Sequence, residues 1–261
     1  MSHPAVGLEF QNVRHSFLRG DEVTQVLDDV TMTVTPGEFV GIVGPSGCGK
    51  TTLLGMAAGM LKPSRGAVRF DGAELRSTSS EVAYMLARDA LLPWKSAAEN
   101  VELALRVRGL PGDERRRLAQ EWLSRVGLEK QSDVNVRKLS HGMRQRVAIA
   151  RTLAQRPRCV LMDEPFAALD AQTRVRVQEQ FLGVWERQRP TVLFVTHDLA
   201  EAILLADRVV LMSRGPGRLV SDMRVPLPRP RDPERDRATS AFLDAHETLW
   251  GQLKTQFAEA L

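Results

Sequence analysis

Apolar and polar residues alternate along the first 35 positions and then give way to unbroken apolar runs. Residues 13–17 and 23–27 flank Arg19-Gly20-Asp21, which predicts a hairpin. Residues 30–34 alternate Val and Met with Thr, the period-two pattern of a half-buried strand. After Pro36-Gly37, residues 39–43 are continuously apolar, as in a strand covered on both faces. Two further runs, 159–162 and 191–195, read the same way, and a strand over 208–212 follows a helix over 198–206. Helical spacing dominates between the first run and the second: about 50–60, then 97–108, 113–126 and 143–155. Strands alternating with helices predict an α/β fold with a mostly parallel sheet. Residues 90–155 read as a helical insertion into that core. Beyond Arg214 the chain turns polar and Pro-rich, and a last helix over about 234–260 is expected to pack on the surface or on a partner.

Composition narrows the class. The 261 residues are 43% hydrophobic and 26% charged, ordinary for a globular chain, which excludes a disordered or fibrous protein. No run approaches the ~18 apolar residues of a spanning helix, and the N-terminus lacks the basic start and apolar core of a secretory signal. Cys48 and Cys159 are expected to be free thiols of a cytoplasmic protein. The net charge of +4 is carried by dispersed arginines, and a single Tyr offers little base-stacking surface, so no nucleic-acid partner is expected.

The chemistry begins where the first buried run ends. Gly44-Pro45-Ser46-Gly47-Cys48-Gly49-Lys50-Thr51 fits Gly-x4-Gly-Lys-Ser/Thr, between a strand and a helix. Glycines let backbone N–H groups converge on phosphate oxygens, and the helix N-terminus adds its dipole. Lys50 can reach the outer phosphates and Thr51 can ligate Mg²⁺, with Thr52 beside it. This predicts a nucleoside triphosphate site of the P-loop kind. The run 159–162 ends in Asp163-Glu164: Asp163 is placed for Mg²⁺ and Glu164 for general-base work on water. His197, just past another buried run, sits where a parallel strand delivers residues to a ligand crevice.

Leu139-Ser140-His141-Gly142 opens a helix whose apolar stripe is Met143, Val147, Ala150 and Ala154. The order of phosphate loop, Leu-Ser-x-Gly helix, Asp-Glu strand and His strand resembles the ATP-binding cassette (ABC) family over essentially the whole chain. Ala168-Leu169-Asp170 looks like that family's D-loop, and Phe17 stands at the position of its adenine-stacking aromatic. The resemblance implies a single cassette. Residues 1–89 and 156–213 would form a RecA-like core with an N-terminal antiparallel β subdomain, 90–155 a helical subdomain, and 214–261 a C-terminal extension. It implies two ATP molecules, with Mg²⁺, sandwiched in a head-to-tail dimer, each between one copy's phosphate loop and the other's Ser140 segment. It also implies a transmembrane permease as partner, a solute-binding protein acting indirectly, and a peripheral place on the cytoplasmic face of the plasma membrane.

Leu91-Leu92-Pro93-Trp94-Lys95 and the tail Pro216-Gly217-Arg218-Leu219-Val220 resemble the nitrate, sulfonate and taurine import subgroup, so uptake of such a solute is the expected role. A cassette for lipid or lipoprotein export is the alternative. A DNA-maintenance ATPase would need long heptad insertions, which residues 52–138 lack. Two positions depart from the family pattern. His141 replaces a glycine, and Ala87 stands where the Q-loop glutamine belongs, so one Mg²⁺ ligand is expected to be replaced by water.

Overall fold

The structure is a computed structural model that describes residues 7–86 and 90–258; the Q-loop position, Ala87, lies outside them. Its elements, in order, are β1 (Leu8–Arg19), β2 (Glu22–Val34), β3 (Phe39–Val43), α1 (Lys50–Ala57), β4 (Arg65–Phe70), β5 (Ala73–Glu74), β6 (Val82–Met85), α2 (Ala97–Val107), α3 (Gly112–Arg125), α4 (His141–Ala154), β7 (Cys159–Asp163), α5 (Ala171–Gln188), β8 (Thr191–Val195), α6 (Leu199–Leu205), β9 (Arg208–Met212), β10 (Leu219–Arg224), α7 (Pro233–Asp236) and α8 (Ser240–Ala258).

Six strands form the central sheet in the order β10-β9-β3-β8-β7-β6, parallel from β6 to β9 and closed by antiparallel β10. The unbroken apolar runs now have a cause. Phe39, Val43, Val160, Met162, Val192 and Phe194 face one core, beneath the helices. Val40, Ile42, Cys159, Leu161, Leu193 and Val195 face the other, beneath the N-terminal sheet and α1. Each strand is thus apolar on both faces, so neither face tolerates a polar position. At Gly41 an added Cβ would stand 3.3 Å from the Cβ atoms of both Ala202 and Ala206, so α6 lies directly on β3.

The second sheet, β2-β1-β4-β5, is antiparallel. The hairpin at residues 19–21 is present. The two runs expected as separate strands over 23–27 and 30–34 are one strand, β2, with a left-handed residue, Asp29, between them.

Helices α2, α3 and α4 pack on one another between β6 and β7 in the chain. Ser96 and Glu99 cap α2 reciprocally: Ser96 Oγ accepts from Glu99 N at 3.2 Å, and Glu99 Oε2 accepts from Ser96 N at 2.8 Å.

The expected single terminal helix is corrected to two, α7 and α8, split by a turn at residues 237–239. The Pro-rich stretch before them is anchored rather than loose. Arg229 stacks over Trp185 at 4.3 Å, and Arg231, buried, donates to Ile203 O at 2.7 Å. Helix α8 packs on α6 of its own chain through Phe242, Ala245, Leu249 and Leu253, so the alternative of a foreign partner beneath it is not needed for this face.

Candidate functional site

The phosphate loop turns out of β3 against the tail of the sheet. A Cβ at Gly44 would come within 2.8 Å of Met212 O, so no larger residue fits beneath the loop. Gly49 has φ +97°, a conformation glycine adopts without strain, and it sets the first N–H groups of α1 toward the cleft. Within this cradle Lys50 is only 8% exposed. Its Nζ donates to Gly44 O at 2.7 Å and Pro45 O at 2.8 Å, which satisfies a buried ammonium with the loop's own carbonyls.

Cys48 lies under the loop, fully buried, with Sγ 3.7 Å from Lys50 Nζ. Burial pushes its thiol above the ordinary range despite the nearby ammonium. Its side chain therefore faces the core, and only its backbone can serve a ligand. Cys48 and Cys159 are both free and buried.

Above the loop is a cleft of about 320 Å³. Phe17 and Val26 form one wall. Ser46, Gly47, Gly49, Lys50, Thr51 and Thr52 form the floor, and Asp163 and Glu164 close the far end. Phe17 stands perpendicular to the His15 ring, centroids 4.6 Å apart, and lines the cleft.

Strand β7 carries Asp163 to the loop. Thr51 Oγ1 donates to Asp163 Oδ2 at 2.8 Å. Asp163 is 3% exposed, and its pKa is raised: burial is the main cause and the Glu164 charge adds, with Thr51 and Lys50 opposing. A buried carboxylate beside a hydroxyl, over a cradle of backbone N–H groups, fits a divalent cation with its phosphates. Among the described residues no cluster of three or more His, Cys, Asp or Glu assembles. Any cation here would take its remaining oxygens from phosphate and water.

Glu164 has a left-handed backbone, φ +48°, which a non-glycine residue keeps only when its surroundings hold it. Two bonds do so. Glu164 N donates to Val195 O at 2.9 Å, and Gln145 Nε2 donates to Glu164 O at 3.1 Å. The carboxylate then meets the histidine at the end of β8: His197 Nδ1 lies 3.3 Å from Glu164 Oε1.

Gln145 was not singled out from the sequence. It is buried in α4, and its Oε1 also accepts from Ala168 N at 3.1 Å, so one amide ties the Ser140 helix to both sides of the segment 164–168. The only sequence hint is an amide set in a helix whose neighbours at +3 and +4 are Ala148 and Ile149.

The remaining expected residues lie outside the cleft lining. Ser140 caps α4 by accepting from Met143 N at 3.2 Å, and Asp170 caps α5 by accepting from Thr173 N at 3.0 Å. A Cβ at Gly142 would stand 3.4 Å from Ala168 O, so the Ser140 turn abuts the 168–170 segment rather than the phosphate loop. His141 takes the place expected of glycine without disturbing the cap, and its Nδ1 lies 3.2 Å from an Arg144 NH2.

The ABC transporter family profile matches residues 27–167, more than half of the chain. The chain belongs to the ABC transporter family. The bicarbonate transport ATP-binding protein of Synechococcus elongatus is 43% identical over 236 residues, spanning 89% of this cassette and 85% of that protein. The taurine import ATP-binding protein of Chromobacterium violaceum is 49% identical over 203 residues, 78% of each chain. A solved dimeric ATP-binding cassette in a post-hydrolysis state, bound to ADP and Pi, superposes with a TM-score of 0.77 at 31% identity, covering 83% of this cassette and 98% of that chain. The ABC cassette described here therefore has the family's α/β fold and its ATP-binding architecture. No described helix is long and apolar enough to cross a membrane.

Proposed function

We propose that this cassette is the ATP-hydrolysing subunit of an importer for a small solute of the nitrate, bicarbonate, sulfonate or taurine kind, driving a separate transmembrane permease. The hydrolytic part of the reading is carried by the pair of contacts at the strand ends, Thr51 to Asp163 at 2.8 Å and Glu164 to His197 at 3.3 Å, beside the buried Lys50, and the importer part is supported by the similarity to import ATP-binding proteins.

Bound Mg-ATP supplies a phosphoanhydride bond to break and a cation that neutralises its oxygens. The chain supplies the rest. Phe17 offers a face for the base, and the amides of residues 44–52 with Lys50 hold the phosphates, Lys50 exchanging two loop carbonyls for phosphate oxygens. Thr51 and Asp163 would hold the cation. The Glu164 carboxylate takes a proton from the attacking water, and His197 orients that carboxylate and the outer phosphate.

Ser140, Gly142 and Asp170 are read as the polar groups that a second, head-to-tail copy brings to this cleft. Their separation from it within one chain supports that reading. Residues 90–155 are read as the helical unit that meets the permease, and the solute-binding protein acts only through that permease. A peripheral position on the cytoplasmic face of the membrane follows from the same partnership.

The loop at 91–96 favours a docking role. Asn100, fully buried, grips it by accepting from Leu92 N at 2.7 Å and donating to Ser96 O at 2.9 Å. Leu91 is buried while Trp94 is left 68% exposed. A rigidly held loop that presents a bare Trp is suited to a partner's pocket.

The test is ATP turnover and solute uptake by the cassette assembled with its permease in vesicles, offered nitrate, bicarbonate and taurine in turn. ATP-dependent uptake of one of them, abolished by Glu164→Gln, is expected. Turnover without any ATP-driven uptake would refute the importer reading.

A further inference from the structure

Helix α6 is apolar nearly throughout, burying Leu199, Ala202, Ile203, Leu204 and Leu205, yet Glu201 sits among them at 4% exposure. An unpaired carboxylate there would be strongly destabilising. This one is fully engaged. Thr196 Oγ1 donates to Glu201 Oε2 at 2.8 Å, and Gln178 Nε2 donates to Oε1 at 3.2 Å. Arg174 Nε lies 3.7 Å from the same oxygen.

Each partner leads toward the site described above. Thr196 precedes His197, and its Oγ1 also accepts from Asp198 N at 3.0 Å, which fixes the turn that carries the histidine. Arg174 and Gln178 belong to α5, the helix that Asp170 caps. Arg174 reaches back to donate to Leu169 O at 3.0 Å and forward to Asp198 Oδ2 at 3.7 Å. The carboxylate of Glu201 is therefore a point shared by two segments, 168–170 and 196–198, which the Arg174–Asp198 ion pair also joins.

We propose that Glu201 is a positioning residue that couples the segment 168–170 to the turn bearing His197, so that the imidazole is aligned on Glu164 only when both are in register. The proposal rests on the ATPase reading given above and extends it to a residue that never meets nucleotide.

The charges around this carboxyl are Arg174 on α5, with His197 and Asp198 in its own turn. At the far end of α6 Arg231 is occupied with the carbonyls of Ile203 and Ala206, and from α8 His246 lines a cavity against residues 197–200. Burial is the main cause that raises the Glu201 pKa to about 7; Asp198 adds, while the Thr196 bond, Arg174 and His197 oppose. Ionisation of Glu201 thus falls in the neutral range, where the carboxylate gains the acceptor capacity that Thr196 and Gln178 use and the charge that Arg174 faces.

The experiment is steady-state ATP turnover by the full chain, wild type and Glu201→Gln, as a function of ATP and of pH across neutrality. Expected is a kcat lower by about tenfold, the worth of one hydrogen bond to a charged group. KM for ATP should be unchanged, and the rise of kcat through neutral pH should be flattened. Thr196→Val, which breaks the link from the other side and keeps its shape, should give the same kcat loss, and the double variant little more than either.

Unchanged kcat and an unchanged pH profile in both variants would overturn the coupling. So would a raised KM at constant kcat, which would place the effect in nucleotide binding. If the wild type itself fails to hydrolyse ATP, the ATPase reading falls, and the coupling falls with it. An active wild type with indifferent variants removes the coupling alone.

Discussion

The cleft at Lys50 and the turn at Ser140 are built in opposite ways. In the first, the charged groups are buried and already matched inside one chain: Lys50 on loop carbonyls, Asp163 on Thr51. In the second, Ser140 and Asp170 are exposed helix caps whose only described bonds are to their own first turns. A hydroxyl that accepts from Met143 N still has a proton to donate, and the first N–H groups of α4 face outward with it. On the function proposed above, one chain holds a cleft whose groups are already matched and a second surface, at Ser140 and Asp170, that another copy would complete. Removing a group from the first half should show in a single chain, whereas removing one from the second should show only when two chains meet.

The largest effect is expected at Glu164, where the two halves share a boundary through Gln145. Glu164→Gln keeps the shape and removes the base, so turnover should fall by about 10²- to 10⁴-fold while nucleotide affinity is kept. The two halves should then stay closed on ATP, and light scattering with Mg-ATP should show a lasting dimer. A variant that stays monomeric at saturating nucleotide would break the comparison outright.

Next come Lys50→Ala and Ser140→Ala as a pair. The first should weaken nucleotide binding by the isolated chain about 10- to 100-fold, the loss of one or two contacts to charged oxygens. The second should leave that affinity unaltered and lower turnover instead. Mixing the two variants should restore part of the activity, because a mixed dimer holds one site with an intact Lys50 from one chain and an intact Ser140 from the other. No recovery on mixing would mean that each chain completes its own site.

The two halves were also unequally legible in the sequence. Glycines, a lysine and acids at the ends of β3 and β7 stand out because apolar runs buried on both faces end abruptly in polar residues. The alternation of Phe39 and Val43 against Val40 and Ile42, by contrast, carries no local sign of which core each faces. Helix α5 escaped the sequence reading because its buried positions, Val177, Phe181, Val184 and Trp185, are diluted by charged residues, and one of its inward positions is the polar Gln178. Strands β4, β6 and β10 are short or half-exposed and were missed for a similar reason. The side-chain bonds of Gln145 and Gln178 run only across separate elements, and no periodicity announces a polar residue whose partner is 20 or so positions away; Glu201 shares one such bond and adds a nearer one to Thr196.

Buried Glu201 allows the same comparison to be sharpened through stability. Its pKa is raised from the ordinary 4.5 to about 7 in the folded chain. The folded state therefore holds this proton more tightly than the unfolded one. The resulting stabilisation is fully present below the ordinary carboxylate range and is lost as pH rises through about 7. Relative to Glu201→Gln, the wild type should lose stability between those two values, by at most about 3 kcal/mol. Urea unfolding of both proteins at either end of the window measures it. A pH-independent difference would show that the carboxylate stays ionised throughout and that its two donors and the Arg174 charge outweigh burial.

The smallest effect on the isolated chain is expected at Trp94, and its smallness is what makes it informative. Trp94 is 68% exposed, so truncating it removes little packing from the cassette. Trp94→Ala should change folding stability by no more than about 0.5 kcal/mol, and it should leave nucleotide affinity and ATP-driven dimerisation as they were, since Trp94 belongs to neither half of the site. The loop itself should keep its shape, because Asn100 rather than Trp94 holds it to α2. Assembly with the permease should weaken by about 2 kcal/mol or more, the usual loss when a central aromatic anchor is removed. Co-purification of the permease with the variant, set beside the variant's melting temperature, separates the two quantities. A marked drop in stability with assembly intact would make Trp94 part of the cassette's own core and would move the docking face elsewhere on the helical region. Intact stability with lost assembly would place on this chain a surface that is completed only by the permease.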